Sequence, residues 1–272
     1  MTDTSNKKPV AVVTGASAGI GAVYAQRLAA RSFDLILVAR RADRLEALAK
    51  ELKDKYGAHV EIVAADLTNS KDIARVEKLL ATNTRIAMLV NNAGTAKLAP
   101  LAGTSTEDAA SMIAVNVTAL TRLTYAAAPA FVARGAGTII NIASIVGISP
   151  ETLNGVYGAT KAYVIALSHS LQHELADKGI RIQAVLPGAT ATDLWEIAGL
   201  PWQNLPASIV MSPEDMVDAA LVGLEQGELV TIPSLHEGGE WMRFEAARRA
   251  ISKQFDHSKP ASRYKVGAHS LA

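Results

Sequence analysis

The chain has 272 residues, 49% of them apolar and 19% charged, and a formal net charge of +1. That apolar content is enough for a large core and excludes a disordered chain. The near balance of charge disfavours a nucleic-acid-binding protein, because such proteins usually carry a basic excess. The chain has no cysteine, so it can form neither a disulfide nor a cysteine-ligated metal site.

Membrane insertion and export are also disfavoured by the sequence. No apolar stretch approaches the roughly 20 residues that a membrane-spanning helix needs. The apolar run at 9–13 is shorter than the core of a secretory signal peptide, which has about 7–15 residues. We therefore expect a cytoplasmic protein without a membrane partner.

Seven short runs rich in Val, Ile and Leu alternate with longer amphipathic stretches. Such runs are typical of parallel strands that helices cover on both faces. The predicted strands are Val10–Thr14, Leu35–Ala39, Val60–Ala64, Ile86–Val90, Thr138–Ile142, Ile182–Leu186 and Leu229–Ile232. The predicted helices are Ile20–Arg31, Asp43–Tyr56, Ser70–Ala81, Thr106–Ala133, Val156–Lys178 and Pro213–Gln226. This alternation predicts a doubly wound α/β fold with one seven-stranded parallel sheet.

The alternation defines the expected domain organisation. No linker interrupts it, so we expect a single domain over 9–235, preceded by a flexible N-terminus over 1–8. Residues 236–272 differ in pattern, with an amphipathic helix predicted over Glu240–Phe255 and then a basic tail. The charge favours a solvated helix and tail. A lid over the active site and a subunit contact stay open as alternatives.

Three glycines, Gly15, Gly19 and Gly21, follow the first predicted strand and open the first helix. Backbone N–H groups at such a turn can hold a pyrophosphate at the start of a helix. Gly15 permits the tight turn, Gly19 leaves room for the phosphates, and Gly21 lets the helix pack closely on the sheet. The spacing is G-x-x-x-G-x-G rather than G-x-G-x-x-G, so the motif does not by itself establish a dinucleotide site.

The same turn also matches G-x-S-x-G, the nucleophile elbow of α/β-hydrolases, with Ser17 as the nucleophile. Asp193 and His236 follow in the order that a serine esterase requires. Only one strand precedes Ser17, however, whereas an esterase of this class needs more of its sheet before the nucleophile. The esterase is therefore kept as an alternative that the position of the motif disfavours.

The second predicted strand ends in Ala39, and Arg40 and Arg41 follow it. In dinucleotide-binding units an acid at this place binds the ribose 2′-hydroxyl of NAD, whereas an arginine accommodates the 2′-phosphate of NADP. Arg40 lies 19 residues after Gly21, and the expected distance is about 20 residues. A planar guanidinium pairs well with phosphate. The sequence therefore predicts NADP(H) over NAD(H), with Arg40 as the main contact and Arg41 as its helper.

A set of polar residues follows later in the chain. Tyr157 and Lys161 are four residues apart on a predicted helix, so they share a face. Ser144 follows the fifth predicted strand, and Asn116 lies in the long helix before that strand. These residues occur in order with Thr14-Gly15-x-x-x-Gly19-x-Gly21, Asp66-Leu67, Asn91-Asn92-Ala93-Gly94 and Pro187-Gly188 with Thr192.

Over about 9–235 this series of motifs resembles the short-chain dehydrogenase/reductase family, in its NADP-preferring branch of chains of about 250 residues. The resemblance implies a Rossmann fold and hydride transfer between NADP(H) and a carbonyl or secondary alcohol. Tyr157 would be the general acid/base, with Lys161 lowering its pKa and binding the nicotinamide ribose. Ser144 would polarise the substrate oxygen, and Asn116 would hold a water in a proton relay.

The resemblance also implies which residues contact the cofactor. They are Gly15, Ser17, Gly19, Ile20, Gly21, Arg40, Arg41, Asp66, Leu67, Asn92, Ala93, Gly94, Tyr157, Lys161, Pro187, Gly188, Thr190 and Thr192. The family's substrate loop corresponds to 189–208, where Trp195 or Trp202 is expected near an apolar substrate. The chain departs from many NADP-preferring relatives at Ala18, where they carry a basic residue.

Three further expectations concern the oligomeric state, metal binding and an alternative function. The resemblance implies a homo-oligomer, a tetramer or a dimer, with the helix over 156–178 at a subunit contact. No metal site is predicted, because His169 and His173 lie one helical turn apart without an apparent third ligand. A non-catalytic NADP-binding regulator stays open as an alternative function within the family.

Overall fold

The structure, a computed structural model, describes residues 7–153 and 155–265, without the side chain of Leu101. The chain divides into two compact units, one ending at Ser234 and one beginning at Leu235. Of the predicted flexible N-terminus, residues 1–6 lie outside the described part, as do residues 266–272 of the predicted basic tail. Within the described residues, no helix is long and apolar enough to cross a membrane.

The first unit contains one sheet of seven parallel strands in the order β3-β2-β1-β4-β5-β6-β7. The strands are β1 (Val10–Thr14), β2 (Asp34–Ala39), β3 (Val60–Ala64), β4 (Ile86–Asn91), β5 (Gly137–Ile142), β6 (Ile180–Val185) and β7 (Val230–Thr231). The prediction of a doubly wound seven-stranded sheet is confirmed. The strand order reverses between β1 and β4, and ligands of such sheets bind at the carboxyl ends of the strands beside this reversal.

Within the described residues of the first unit, eight α-helices connect or flank the strands. They are α1 (Gly19–Ala30), α2 (Ala42–Tyr56), α3 (Ser70–Thr82), α4 (Thr106–Ile113), α5 (Leu120–Arg134), α6 (Val156–Leu175), α7 (Leu194–Ala198) and α8 (Pro213–Glu225). Side chains alternate along each strand, so the sheet has two apolar faces. On β1, Ala11 and Val13 pack with α1, α2 and α8, whereas Val10 and Val12 pack with α3, α5 and α6.

The long helix predicted over Thr106–Ala133 is interrupted in the structure. α4 and α5 are joined by a π-helical segment, Ala114–Ala119, that contains Asn116. A π-helical turn is wider than an α-helical turn and often marks a functional site. Here Asn116 is 1% exposed and pairs across to the backbone of Thr95. The predicted boundaries are otherwise close to the observed ones, although α7 in the predicted substrate loop was not foreseen.

A buried polar network ties α5 and α6 to the centre of the sheet. Asn91 Nδ2 on β4 donates to Thr124 Oγ1 at 3.0 Å and to Asn141 Oδ1 at 2.9 Å. Asn141 Nδ2 on β5 donates to Ser168 Oγ at 3.0 Å, and Ser168 Oγ donates to Val164 O on α6 at 2.8 Å. Buried polar groups destabilise a core unless they are paired, so this network favours one placement of α6 on the sheet.

The second unit contains one helix, α9 (Gly238–Ser252), within the described residues 235–265, followed by a short 3₁₀ turn at Ser262–Tyr264. The predicted helix Glu240–Phe255 thus begins two residues earlier than expected and ends three residues earlier. Glu245 pairs with Arg248 at 2.9 Å and with Arg249 at 3.8 Å, both one turn further along α9.

The network at Ser168 generates a stability prediction. In Ser168→Ala, Asn141 Nδ2 loses its acceptor on α6 while it stays buried, so the free energy of unfolding should fall by about 1–3 kcal/mol. Urea unfolding followed by circular dichroism measures the change. Ser111→Ala, on the exposed side of α4, is the control and should change stability by less than about 0.5 kcal/mol. Equal stability of the two variants would contradict this role of the network.

Candidate active site

The turn between β1 and α1 is shaped for close approach of a ligand. A methyl group added at Gly21 would lie 2.4 Å from the carbonyl oxygen of Gly15, so only glycine fits there. Gly19 has a φ of +54°, in the region that favours glycine. In the described part of the chain no side chain caps α1 at Ala18, so its first N–H groups face outward at the positive end of the helix dipole. This arrangement fits a pyrophosphate.

The end of β4 braces this turn. Thr14 Oγ1 accepts hydrogen bonds from the backbone N–H groups of Asn92 and Ala93, each at 3.0 Å. Asn92 Nδ2 donates to the carbonyl oxygens of Thr14 at 2.9 Å and Gly15 at 3.2 Å. Asn92 and Ala93, predicted cofactor contacts, therefore lie directly beside the glycine turn, and the hydroxyl of Thr14 holds them there.

The two arginines after β2 lie near different parts of the predicted cofactor site. Arg41 Nη2 donates to Ser17 Oγ in the glycine turn at 3.2 Å. Arg40 is instead near Asp66, whose pKa is lowered first by hydrogen bonds from Thr68 and then by the charge of Arg40. Sequence distance singles out Arg40 as the main phosphate contact, whereas the structure brings Arg41 to the turn.

The remaining predicted cofactor contacts lie around the same edge of the sheet. Ile20 and Leu67 pack into the two apolar faces of the core, so their side chains serve the fold. Gly94, after β4, is exposed. Pro187 O accepts hydrogen bonds from Ser144 Oγ at 3.3 Å and from the backbone N–H of Ile145 at 3.1 Å, which places the start of the Pro187-Gly188 pair beside β5.

The segment after β6 passes over the glycine turn. A methyl group added at Gly19 would lie 2.9 Å from Thr192 Cγ2, which shows how closely this segment approaches the turn. Thr190 Oγ1 donates to Gly188 O at 3.3 Å, and Trp195 Nε1 donates to Thr190 O at 2.9 Å. Thr192 thus lies against the turn, Thr190 is held by contacts within the segment, and the indole N–H of Trp195 is used within its own segment.

Tyr157 and Lys161 lie on the first turns of α6 and are buried, with 8% and 5% of their surface exposed. Lys161 Nζ donates to the carbonyl oxygen of Ile142 at 2.8 Å and lies 5.7 Å from the centroid of the Tyr157 ring. Burial lowers the pKa of Lys161 to about 8. Burial raises the pKa of Tyr157 to about 12, and a hydrogen bond with Ser144 acts against that rise.

The predicted lowering of the Tyr157 pKa is therefore not what this structure shows. The expectation assumed that the ammonium of Lys161 would outweigh burial. In the structure burial is the largest influence on the phenol, because Tyr157 lies in an apolar cluster and Lys161 is directed at Ile142 O. At neutral pH Tyr157 is a protonated phenol that can donate a proton.

Asn116 connects three parts of the site. Its Oδ1 accepts from the backbone N–H of Thr95 at 2.9 Å, and its Nδ2 donates to Thr95 O at 2.9 Å and to Thr160 Oγ1 at 3.1 Å. Thr160 Oγ1 in turn donates to Tyr157 O at 2.7 Å. Both hydrogens of the Asn116 amide are occupied, so the side chain connects the loop after β4 to α6. The water relay at Asn116 stays a prediction.

Neither threonine partner of Asn116 is predicted from the sequence. Thr160 directly precedes Lys161, so a hydroxyl on the sheet-facing side of α6 was a readable signal. Thr95 contributes only its backbone, which no side-chain pattern reveals.

An apolar cluster surrounds the ring of Tyr157. Its buried members are Ala96, Met112, Val146, Tyr157 and Ala198, and Leu98, Ile145, Leu153, Val156 and Leu194 pack against them. Leu194 and Ala198 are its members from α7, and neither Trp195 nor Trp202 is in the cluster.

The geometry gives no support to the esterase alternative. The hydroxyl of Ser17 accepts a hydrogen bond from Arg41, and the carboxylate of Asp193 pairs with Arg44 at 3.1 Å. Neither group contacts an imidazole among these interactions, and His236 belongs to the second unit. Among the described residues, no group of three or more His, Asp or Glu side chains is arranged to hold a metal ion.

Comparison with known proteins decides the family. The profile of the short chain dehydrogenase family matches residues 9–199. The chain belongs to that family. It is therefore an oxidoreductase with a nucleotide-binding Rossmann fold, as its sequence motifs predict.

Solved structures and curated relatives agree with this assignment. A short-chain dehydrogenase from Sphingobium yanoikuyae in complex with NADPH is 47% identical, with a TM-score of 0.91 over 93% of this chain and 98% of that one. The bulky-bulky ketone specific alcohol dehydrogenase from Comamonas testosteroni is 40% identical, with a TM-score of 0.88 over 95% and 99% of the two chains. Very-long-chain 3-oxoacyl-CoA reductase-A from Danio rerio is 37% identical over 79% of this chain and 67% of its own length.

The buried Lys161 generates a prediction about stability and pH. Its pKa is about 8 in the folded chain and about 10.4 when unfolded, so between these values the unfolded chain binds more protons. The contribution of Lys161 to the free energy of unfolding therefore rises with pH between these two pKa values. Relative to Lys161→Met, the wild type should gain about 2 kcal/mol in free energy of unfolding between pH 7 and 9.5.

Urea unfolding at several pH values measures this gain. The pH range stays below about 10, where the phenol of an unfolded tyrosine begins to ionise. Lys178→Met removes an exposed lysine just after α6 and should give a pH-independent difference from the wild type. If the difference in free energy of unfolding between the wild type and Lys161→Met is also independent of pH, burial of the Lys161 ammonium does not have the assigned cost.

Proposed function

We propose that this short-chain dehydrogenase transfers a hydride between NADP(H) and a carbonyl or secondary alcohol, with Tyr157 as the proton donor in reduction. The observation that carries the proposal is the burial of Ser144, Tyr157 and Lys161 together at the carboxyl end of β5. The glycine turn, which fits a pyrophosphate, lies at the same edge of the sheet. A non-catalytic NADP-binding regulator would have no need of this proton donor.

The cofactor is proposed to lie along the glycine turn and the carboxyl ends of β1, β4 and β6. When bound, its nicotinamide ring supplies or accepts the hydride. The chain would hold it with Gly15, Ser17, Gly19, Ile20, Gly21, Arg40, Arg41, Asp66, Leu67, Asn92, Ala93, Gly94, Tyr157, Lys161, Pro187, Gly188, Thr190 and Thr192. Leu67 and Ile20 would act through backbone groups, since their side chains are part of the core.

The side chains of the site are proposed to act on the substrate oxygen. Ser144 would donate a hydrogen bond to that oxygen, and Tyr157 would transfer its phenolic proton to it. With a pKa of about 12, Tyr157 is protonated at neutral pH and can donate its proton. Lys161, protonated below about pH 8, would stabilise the phenolate that remains. Asn116, through Thr160, would keep Tyr157 in position.

The surroundings of Tyr157 support a carbonyl substrate with apolar substituents. Aliphatic side chains pack around the phenol, and apolar substituents of a substrate lose contact with water when they pack against such side chains. The ketone-specific alcohol dehydrogenase from Comamonas testosteroni, by its name, accepts ketones with two bulky groups. Substituents of that kind suit the apolar walls formed by Val146, Met112 and Leu194.

NADP(H) is proposed over NAD(H) because two guanidinium groups follow β2. Arg41 is at the glycine turn, and Arg40 lies near Asp66. The Sphingobium yanoikuyae relative is in complex with NADPH. A 2′-phosphate between Arg40 and Arg41 would also be reached by the hydroxyl of Ser17.

We further propose a cytoplasmic homo-oligomer, a dimer or a tetramer. On α4, α5 and α6 four large apolar residues are exposed, namely Ile113 at 45%, Tyr125 at 65%, Val132 at 36% and Tyr163 at 38%. Apolar and aromatic side chains of this kind are enriched at subunit contacts.

The proton-donor role of Tyr157 is tested by Tyr157→Phe. Reduction of an apolar ketone by NADPH, followed by absorbance at 340 nm (a property of the cofactor), should fall by at least about a hundredfold. NADPH binding, followed by fluorescence, should persist, because the phenyl ring keeps the packing. Tyr163→Phe makes the same change elsewhere on α6, where the hydroxyl pairs with Thr121, and should keep full activity. If Tyr157→Phe reduces the ketone at the wild-type rate, Tyr157 is not the proton donor.

The cofactor preference is tested at the two arginines. Arg40→Gln and Arg41→Gln should each raise KM for NADPH by about tenfold, because a charge-assisted contact to phosphate contributes about 1.5–3 kcal/mol. KM for NADH, which lacks that phosphate, should change less than twofold, an estimate for uncharged contacts. Arg31→Gln, which removes an exposed arginine paired with Glu225, is the control. If neither variant distinguishes the two cofactors, the assigned phosphate site is wrong.

A further inference from the structure

The segment of residues 189–199, which we call the bridging segment, is held at both ends. Near its start, Ala191 N donates to Met211 O at 3.0 Å and Met211 N donates to Ala189 O at 2.9 Å. Near its end, the carbonyl oxygen of Ala198 accepts from Leu98 N at 3.0 Å. Between these points it carries Thr192 across the glycine turn. The segment therefore spans the proposed cofactor site and reaches the apolar cluster around Tyr157.

One ion pair connects the middle of the bridging segment to α2. Asp193 Oδ2 lies 3.1 Å from Arg44 Nη1 on α2. α2 begins directly after the two arginines that are proposed to bind the 2′-phosphate. The pair thus joins the bridging segment to the element that would recognise the phosphate, next to Thr192.

Asp193 also reaches one of the phosphate-binding residues. Its Oδ2 lies 4.0 Å from Arg41 Nη1, while Arg41 Nη2 donates to Ser17 at 3.2 Å. The guanidinium of Arg41 therefore lies between the glycine turn and a carboxylate. A 2′-phosphate at this place would share Arg41 with Asp193, and the two anions would repel each other.

We propose that Asp193 is a positioning residue that acts through Arg44 and Arg41. Through Arg44 it holds the bridging segment over any bound nicotinamide cofactor, and through Arg41 it opposes the 2′-phosphate and so limits the preference for NADPH over NADH. The inference depends on the proposed cofactor function, and it adds a residue that the family motifs of this chain did not single out.

Breaking the ion pair from its two sides has different consequences for selectivity. Both Asp193→Asn and Arg44→Gln release the bridging segment, which weakens binding of both cofactors. Asp193→Asn also removes the anion beside the phosphate site, so NADPH binding is partly restored. Arg44→Gln removes a cation and leaves Asp193 to pair with Arg41, so NADPH loses more than NADH. The ratio of Kd for NADH to Kd for NADPH therefore rises in the first variant and falls in the second.

The experiment is a fluorescence titration of the full chain with NADPH and with NADH at low salt. The side chains of Asp193, Arg44 and Arg41 are 53%, 46% and 43% exposed, so each ratio should move by about two- to fivefold, as for an exposed ion pair. At about 1 M salt both shifts should shrink, because charges at the surface are screened. Asp218→Asn breaks a similar surface pair with Arg27, between α1 and α8, and should leave the ratio unchanged.

Opposite movements of the ratio, reduced by salt, support the proposal. Ratios that stay constant or move together in the two variants overturn it, since a merely structural pair would affect both cofactors alike. Shifts that persist at high salt also overturn it, because they would not be electrostatic. A wild-type chain that binds neither cofactor would instead refute the proposed function on which the inference depends.

Discussion

The arrangement of the site depends on one buried ammonium group. Lys161 is 5% exposed, and its hydrogen bond to the carbonyl oxygen of Ile142 connects α6 to the last residue of β5. A buried charge is costly, and one carbonyl partner only partly offsets that cost, which is why the pKa of Lys161 falls to about 8. The neighbouring structure therefore has to hold α6 firmly against the sheet.

Two sets of hydrogen bonds hold α6 in this way, on either side of Lys161. Thr160, the residue before it, is bound by Asn116 and binds Tyr157 O. Ser168, two turns further on, is bound by Asn141, the residue before Ile142. The π-helical turn at Asn116 and the polar network in the core thus serve the same purpose, since both determine where the ammonium and the phenol lie.

The sequence predicts most of the fold because most of its strands are covered on both faces. Val10–Thr14 is buried along its whole length, and a continuous apolar run of that length is readable as a strand. The π-helical turn was not readable, because the residues from Thr106 to Ala133 favour a helix throughout and the interruption depends on the contact of Asn116 with Thr95. Tertiary contacts of this kind leave no trace in local propensity.

The residues of the candidate site are proposed from the sequence, but the sequence does not show which contacts each of them makes. The distance from Gly21 singles out Arg40, yet spacing along a chain cannot show where a guanidinium points, and Arg41 is the one that reaches Ser17. Asp193 entered the sequence analysis only as an esterase candidate, because its partner Arg44 lies 149 residues away in the chain. Contacts across such a separation become visible only when the fold brings the elements together.

In the proposed mechanism, burial acts on both groups of the site that carry a proton. The same apolar surroundings raise the pKa of Tyr157 and lower that of Lys161, so each group is biased towards its uncharged form. Negative charge on a substrate oxygen would be costly in such surroundings, so the oxygen would readily accept a proton. A phenol that stays protonated up to high pH can donate that proton. The cluster of Ala96, Met112, Val146 and Ala198 packs with the phenol, so it acts on the protonation of Tyr157 as well as on its packing.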